Sequence, residues 1–429
     1  MGGLVVLAAG PGTAPPAAGI AVIVAAAALQ PAAGLLLLAA ALPFYLFPRS
    51  FGSLSFSVPE LVLLATVSGA FLHVLALRLA GKRLPQSGLG TPFDRPIALF
   101  LAAALLSLLA SEVLRVSLRD LRTLILEPVA AYYLAAWFLP RGRLPWLIGA
   151  LVAGGVAAAL LGFYQYFFTS HVVAVEGARR MLGPYLSPNQ MGLYMGRSLP
   201  LALAAALFVP SARPVAAAAA LVLAAALALT FSVGAWLGTL LGVAAVLALW
   251  RPKALLALAG GVTAAALLSL PVLATERFAS HLSLSKGTSF IRLQVWESSL
   301  RMIRDHPILG AGMDNFLYHY RGAYFLPEAV AEPNLSHPHN VVLNFWLQLG
   351  ILGLAAFGWL AASLARAWLR LWRTTSDQWG LAILAGTAGV AVDFLAHGMV
   401  DNSYFLVDLA FHFWLLAGVI AVLSRDPAG

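Results

Sequence analysis

Cysteine is absent from the 429 residues, and charged residues make up only 10% of the chain. Without cysteine the chain can form no disulfide, no thiolate nucleophile and no cysteine-ligated metal site. Soluble domains carry about 25% charged residues, whereas 61% of this chain is hydrophobic. These shortages exclude a soluble enzyme, a disordered protein and a basic nucleic-acid-binding domain. They leave a polytopic membrane protein.

Lysine is also scarce, because Arg supplies 23 of the 26 cations that give a formal charge of +9. Cations are also absent from the start of the apolar N-terminus (Met1 to Leu29). A cleaved signal peptide begins with a basic stretch, so we interpret this segment as part of the first membrane region.

Apolar runs long enough to cross a bilayer recur along the whole chain. Residues 17–47 indicate one span or a re-entrant pair broken near Gln30 and Pro31. Eleven further segments follow, at about 58–79, 96–111, 121–139, 145–168, 189–209, 214–230, 232–250, 253–274, 340–363, 378–400 and 403–423. The sequence therefore predicts an all-α bundle of about 12 spans (11 to 13), forming a single membrane domain over residues 1–429.

Cations concentrate in alternate short loops, which sets orientation by the positive-inside rule. The loops on that side contain 13 cations and only three anions, Asp94, Asp377 and Asp426. The cations are Arg78, Lys82, Arg83, Arg95, Arg141, Arg143, Arg213, Arg251, Lys253, Arg366, Arg370, Arg373 and Arg425. We expect this side to be cytoplasmic, so that the large polar loop 275–339 and the loop around Arg179 and Arg180 are periplasmic.

The loop 275–339 contains five of the nine histidines, His281, His306, His319, His337 and His339. Apolar positions at 291, 295, 300 and 303 predict a short amphipathic helix, with Trp296 as a possible membrane anchor. The segment Ser336-His337-Pro338-His339-Asn340 stands where the next span begins. His339 there suits a general base, but His339 or Asn340 could equally be a helix N-cap. A His-x-His pair can also bind a metal, yet no third ligand is adjacent in the sequence.

Ionisable residues also occur inside predicted spans, where they are costly and normally mark a site or a structural ion pair. Arg197 falls well within the run 189–209. Asp393, His397 and Asp401 are spaced by four, so they share one helix face. They could form a proton relay, support the His339 region, or satisfy one another. Arg179, Arg180 and Arg292 lie in outer loops, where a guanidinium can grip a phosphate with two hydrogen bonds.

Four segments in residues 180–420 together resemble the O-antigen ligase family. They are Gly183-Pro-Tyr-Leu-Ser-Pro188-Asn189, Leu229-Thr-Phe-Ser232-Val-Gly234, Arg292-Leu-Gln-Val-Trp296 through Pro307-Ile-Leu-Gly310-Ala-Gly312-Met-Asp-Asn315, and His337-Pro-His339-Asn340 through Leu349-Gly350-Ile-Leu-Gly353 with His397-Gly-Met-Val-Asp401. One departure is Val233, where the family commonly has Arg after the serine. The charge would then come from a neighbour such as Arg197 or Arg180.

The resemblance implies a GT-C-type glycosyltransferase of the bacterial inner membrane, with its active site facing the periplasm. The donor would be a glycan on undecaprenyl diphosphate, and the acceptor a glycan, lipid or protein. Transfer would be inverting, without metal or cofactor. His339 would be the base and Arg292 a catalytic cation, with Arg179, Arg180, Arg197 and Arg292 holding the diphosphate. His337, Asn340, Asp393, His397 and Asp401 would support them.

Three functions remain open at this stage. We expect first a Wzy-type polymerase of O-antigen or exopolysaccharide. The alternative within the family is an O-antigen ligase or a protein O-oligosaccharyltransferase. A transporter or flippase of lipid-linked oligosaccharide is a third possibility, but it would predict matched halves, and the sequence contains no inverted repeat.

Overall fold

The computed structural model describes residues 14–51, 54–82, 90–175, 178–268, 287–329 and 333–425. Arg83, His281 and Asp426, and the first residues of the predicted N-terminal membrane region, lie outside these ranges. The helices are α1 (Ala14–Leu29), α2 (Pro31–Ala41), α3 (Val58–Leu79), α4 (Asp94–Ser107), α5 (Leu114–Asp120), α6 (Glu127–Phe138), α7 (Leu144–Phe168), α8 (Pro188–Phe208), α9 (Arg213–Leu229), α10 (Val233–Trp250), α11 (Ala254–Leu268), α12 (Gly287–Asp305), α13 (Phe316–His319), α14 (Val341–Thr374), α15 (Gln378–Gly398) and α16 (Val407–Arg425).

Short elements join these helices. The described ranges contain two antiparallel hairpins, β1 (Arg49–Phe51) with β2 (Leu54–Phe56) and β3 (Val173–Val175) with β4 (Ala178–Arg180). Single 3₁₀ turns cover Leu42–Phe44, Leu108–Ala110, Arg141–Arg143 and Pro327–Ala329, and π-helical turns cover Leu121–Leu126 and Tyr320–Tyr324.

The chain is a polytopic helical membrane protein. In the described ranges seven helices are long and apolar enough to cross a bilayer: Val58–Leu79, Arg141–Phe168, Pro188–Phe208, Val233–Trp250, Val341–Thr374, Gln378–Gly398 and Val407–Arg425. The other five predicted segments contain shorter helices. For example, α4 has 14 residues, about 21 Å, less than the roughly 30 Å of hydrocarbon. The count of about 12 spans and the GT-C-like arrangement therefore stay predictions.

Helix α8 is the centre of the bundle. It is buried on almost every face and packs against α9, α10 and α15. Ser187 caps its start by accepting a hydrogen bond from the Asn189 amide at 3.2 Å, and Pro188 occupies the first turn. A helix enclosed on all sides needs no polar face, so an Arg within it requires a protein partner.

The predicted amphipathic helix is confirmed as α12, which is longer than expected and ends before Pro307. Trp296 has a partner within the protein, and its role as a membrane anchor stays a prediction. Its indole N–H donates to the carbonyl oxygen of Pro338 at 3.0 Å. Helix α12 is thereby fixed against the turn that contains the two histidines.

Candidate functional site at one end of the bundle

The central contact joins His339, just before α14, to Asp401, just after α15. His339 Nδ1 lies 3.1 Å from Asp401 Oδ1, and Asp401 is only 5% exposed. A carboxylate accepting from Nδ1–H leaves the Nε2 lone pair free. This is the arrangement that a histidine general base requires.

The helix-cap interpretation of this turn is confirmed for Asn340, and the general-base role of His339 stays a prediction. Asn340 is the helix cap, because its Oδ1 accepts from the amides of Val342 and Leu343 at 3.0 and 3.1 Å. Its Nδ2 donates to the Met399 carbonyl. His339 is therefore released from capping. Its backbone has φ +50°, a left-handed conformation that is uncommon outside glycine and concentrates at functional sites.

His337 and His397 complete the surroundings of Asp401. The rings of His337 and His339 are 4.3 Å apart. His337 Nε2 lies 3.6 Å from Asp401 Oδ1, and His397 Nε2 lies 4.0 Å from Oδ2. Burial opposes ionisation of Asp401, but the neighbouring imidazoles outweigh it and hold the pKa of this carboxyl well below its usual range. Asp401 is therefore a permanent carboxylate at neutral pH.

His339 itself is kept neutral. Burial lowers the pKa of His339, the His337 ring and Arg292 lower it further, and Asp401 raises it. The net pKa lies below the ordinary imidazole value. A neutral imidazole at pH 7 can accept a proton, so the electrostatics suit a base.

Arg292 reaches this group from α12. It stands one turn before Trp296, whose indole contacts Pro338, between the two histidines. Residues four apart share a helix face, and Arg292 is close enough to lower the pKa of His339. In the described part of the chain no carboxylate forms a salt bridge with Arg292. Its positive charge therefore acts on His339 without a carboxylate partner in the described residues.

The hairpin β3–β4 separates two arginines that the sequence treats as equivalent. Successive strand residues point to opposite faces. Arg179 donates to the Tyr166 carbonyl at 2.6 Å and lies over the Tyr166 ring. Arg180 instead donates to the Thr230 carbonyl at 2.8 Å and to Asn189 Oδ1 at 3.0 Å. Only Arg180 faces the start of α8 and the α9–α10 turn.

The α9–α10 turn leads from Arg180 to His397. A Cβ on Gly234 would meet His397 Nε2 at 3.4 Å, so this backbone lies directly against the imidazole. Val233 occupies the same turn as the carbonyl that Arg180 contacts. The geometry favours Arg180 as the residue that supplies the charge missing at Val233.

Arg197 behaves as a structural cation. It forms a buried salt bridge with Asp393 and donates to the Ser403 carbonyl at 3.3 Å. Its guanidinium also lies 5.2 Å from the centre of the Phe394 ring, and the residue is 2% exposed. Because the charge of this buried guanidinium is already paired with Asp393, the structure favours the ion-pair interpretation over diphosphate binding.

The sequence argument against a metal was incomplete. His337, His339 and Asp401 can each offer one ligand atom, and these atoms all lie within 4.8 Å of one another. The third donor comes from 62 residues further along the chain. Asp401 is distant from the two histidines in the sequence, but the fold places it beside them.

A buried polar row on α14 was also missed. Asn340, Asn344 and Gln348 recur every four residues from the cap into the otherwise apolar first half of the helix, which was the available signal. Asn344 Nδ2 donates to Asn402 Oδ1 at 3.3 Å, and Gln348 Nε2 donates to Asn344 Oδ1 at 3.0 Å. The backbone N–H of Asn402 donates to Asp401 Oδ1 at 2.8 Å. This row fixes the carboxylate that orients His339.

The four segments that carried the resemblance therefore meet at one end of a membrane helix bundle. Contacts run from Arg180 to the α9–α10 turn, to His397, to Asp401 and His339, and to the loop-borne α12. This describes a class of protein: a polytopic membrane enzyme with a histidine–carboxylate pair beside arginines.

Comparison with known proteins places the chain within that class. Residues 218–358 match the O-Antigen ligase family. A curated protein from Pseudomonas aeruginosa, described as "O-antigen ligase", is 27% identical over 353 residues, which cover 79% of this chain and 72% of that protein. These matches confirm the resemblance. The chain is thus similar, over most of its length, to proteins named O-antigen ligase.

Proposed function

We propose that this protein is a ligase that transfers a completed glycan from undecaprenyl diphosphate to the hydroxyl of a lipid acceptor. The observation that carries the proposal is the His339–Asp401 pair, at 3.1 Å, beside the loop-borne Arg292. Both comparisons bear the name O-antigen ligase. They favour the ligase alternative over the polymerase that the sequence led us to expect first.

The proposed reaction is a direct displacement. His339 Nε2 takes the proton of the acceptor hydroxyl, and the acceptor oxygen forms a bond to the anomeric carbon. The bond from that carbon to the diphosphate oxygen breaks, its electron pair leaves with the diphosphate, and the configuration inverts. Asp401 stabilises the imidazolium that forms. Because the leaving group departs as an anion, it needs no general acid.

Arg292 and Arg180 are proposed to hold that anion. Preset cations that face a developing charge usually provide a large part of catalysis. Arg292 comes from α12 and Arg180 from the hairpin, so they approach the His397–Asp401 end from different elements. Arg179 and Arg197 are directed elsewhere, and we assign them supporting roles.

We also propose that this end of the bundle faces the periplasm. The opposite end has Arg366, Arg370 and Arg373 on α14, and Arg251 and Lys253 between α10 and α11. Such an excess of cations marks the cytoplasmic side. The site would then meet lipid-linked glycans presented at the outer leaflet.

The test is transfer by purified protein from undecaprenyl-diphosphate oligosaccharide, with an added lipid acceptor. We expect one transfer per acceptor and release of the diphosphate lipid. His339→Ala should reduce the rate by roughly 10²–10⁴-fold, whereas His319→Ala, on the same loop but outside the site, should not. A ladder of products would indicate the polymerase, and a glycosylated peptide the protein oligosaccharyltransferase. Movement of the donor across vesicles without release of diphosphate lipid would instead support a transporter.

A further inference from the structure

The imidazoles of His337 and His339 and the carboxylate of Asp401 converge on one small volume. His339 Nδ1 and His337 Nε2 lie 3.1 and 3.6 Å from the same oxygen, Asp401 Oδ1. A tetrahedral zinc site, with bonds of about 2.0–2.1 Å, separates neighbouring ligand atoms by about 3.3 Å. The two separations bracket that value, and all three ligand atoms lie within 4.8 Å of one another, so a small ion could bind them after the imidazoles adjust.

His337 contributes an atom that the site otherwise leaves without a partner. Its Nε2 is buried and, among the residues that the structure describes, has no atom within hydrogen-bond distance. Its Nδ1 lies 3.0 Å from Ser336 Oγ. When a metal ion is bound, Nδ1–H can donate to that hydroxyl and the Nε2 lone pair becomes available to the ion, which is how metal-bound histidines are usually held.

We propose that His337, His339 and Asp401 form an inhibitory site for a divalent transition-metal ion of the zinc type. Two imidazoles and a carboxylate are ligands that suit this class of ion, and a fourth position stays open to water. The ion is not part of the proposed transfer reaction. Binding of the ion inhibits that reaction.

The competition follows from the tautomer of His339. As a base, His339 holds its proton on Nδ1, toward Asp401, and keeps Nε2 free. A metal on Nδ1 requires that lone pair, so the ring proton moves to Nε2. A protonated Nε2 accepts no proton from an acceptor hydroxyl, so each metal ion bound removes one functional base. This step rests on the proposed function, whereas metal binding does not.

The neighbouring charges set the strength of the site. Asp401 supplies one negative charge, and Arg292 is close enough to His339 to oppose a second cation. Asp393 and Arg197 neutralise one another on α15 and α8, and His397 faces the second Asp401 oxygen. We therefore expect reversible binding, weaker than at a structural zinc site.

The first measurement is binding of Co²⁺ to the purified full-length protein, read from the visible absorption of tetrahedral Co²⁺. We expect one ion per chain, displaced by Zn²⁺. His337→Gln should abolish the signal, and His337→Asp, which keeps a ligand atom, should retain part of it. His319→Gln is the matched control, because His306 and His319 form another close imidazole pair at 5.3 Å near Glu112. An absent signal, or one that His337→Gln leaves unchanged, overturns the inference.

The second measurement is inhibition of glycan transfer by Zn²⁺, with each variant normalised to its own metal-free rate. We expect His337→Gln to raise the half-inhibitory concentration about 10-fold or more, and chelation to restore activity. An unchanged half-inhibitory concentration contradicts the competition. Co²⁺ binding by a protein that transfers no glycan would refute the proposed function while leaving the metal site in place.

Discussion

The amide of Ala311 donates a hydrogen bond to the carbonyl oxygen of Leu347 at 2.7 Å. In a continuous helix that carbonyl would accept from Ile351, but Gly350 has φ +68° and breaks α14. The Ile351 amide donates instead to the Pro307 carbonyl at 3.2 Å. The third and fourth segments of the resemblance, with Gly310 and Gly350, are therefore the two sides of one backbone joint.

This joint holds the first part of α14 in place. That part begins at Val341, two residues after His339, and contains Asn344 and Gln348, whose side chains support Asp401 through Asn402. Trp346 adds a hydrogen bond from its indole to the Pro307 carbonyl at 2.8 Å. The direction of the proposed base thus depends on a contact far from it along the chain.

Gly350→Ala should break the joint. A Cβ at Gly350 would lie 1.8 Å from the Ile308 carbonyl oxygen, and the positive φ is itself unfavourable. We expect the free energy of unfolding to fall by roughly 1–3 kcal/mol, seen as a lower apparent melting temperature in detergent. Gly358→Ala, in the same helix, meets nothing within 4 Å and should be neutral or slightly stabilising. Equal melting temperatures for the two variants would refute the joint.

Arg197→Ala should act on stability. It leaves the Asp393 carboxylate buried without its partner, which typically costs about 3–5 kcal/mol. The double change Arg197→Met with Asp393→Leu removes both charges and should recover most of that loss. Thermal unfolding of the three proteins gives the comparison. A normally stable Arg197→Ala enzyme with a raised KM for the donor would instead restore its diphosphate role.

Arg179 and Arg180 provide a matched pair of adjacent substitutions. Arg180→Ala removes the cation that faces Thr230 and Asn189. We expect the transfer rate to fall by roughly 10–100-fold and the KM for the donor to rise. Arg179→Ala removes contacts to Tyr166 and Thr169 and should leave transfer within about twofold. Steady-state kinetics with a varied donor test both. A larger loss of transfer in Arg179→Ala than in Arg180→Ala would assign diphosphate binding to Arg179 instead.

Transfer should depend on pH through His339. The reaction needs the neutral imidazole, so the rate is full at neutral pH and falls as acid protonates the ring. Because the pKa of His339 is lowered, the midpoint should lie below the ordinary value of about 6.5. Asp401 raises that pKa, so Asp401→Asn should shift the midpoint to still lower pH.

Asp401→Asn should also slow transfer by roughly 10²-fold or more, since the imidazolium loses its counter-charge. The exposed Glu297, paired only with Arg301 in the described part of the chain, offers Glu297→Gln as the control for removing one carboxylate. The measurement is a pH–rate profile for each protein. A midpoint that rises in Asp401→Asn would contradict the pairing.

Hydropathy predicted the helices well, because a helix in lipid must satisfy its own backbone and presents apolar side chains. The expected break near Gln30 lies between α1 and α2, and the expected span 58–79 coincides with α3. The amphipathic spacing from 291 to 303 likewise predicted α12. These features depend on neighbours within a few turns, which sequence patterns record directly.

The directions of the side chains determined which residues of the site contact one another. Arg179 and Arg180 are adjacent and of the same type, but they lie on opposite faces of the hairpin because successive strand residues alternate in direction. Asp393, His397 and Asp401 share a spacing, but Asp401 lies beyond the end of α15 and pairs with His339, whereas Asp393 neutralises Arg197. Spacing defines a helix face, but it does not identify the group that the face meets.

By itself, then, the sequence determined a membrane bundle with a large polar loop and the set of residues available for chemistry, because composition and periodicity follow from the lipid environment. Only the tertiary structure decided which of them act together. It brought Asp401 to His339 across 62 residues, enclosed Arg197 with Asp393, and seated Trp296 on Pro338. These contacts depend on how distant helices pack, and no local pattern encodes that packing.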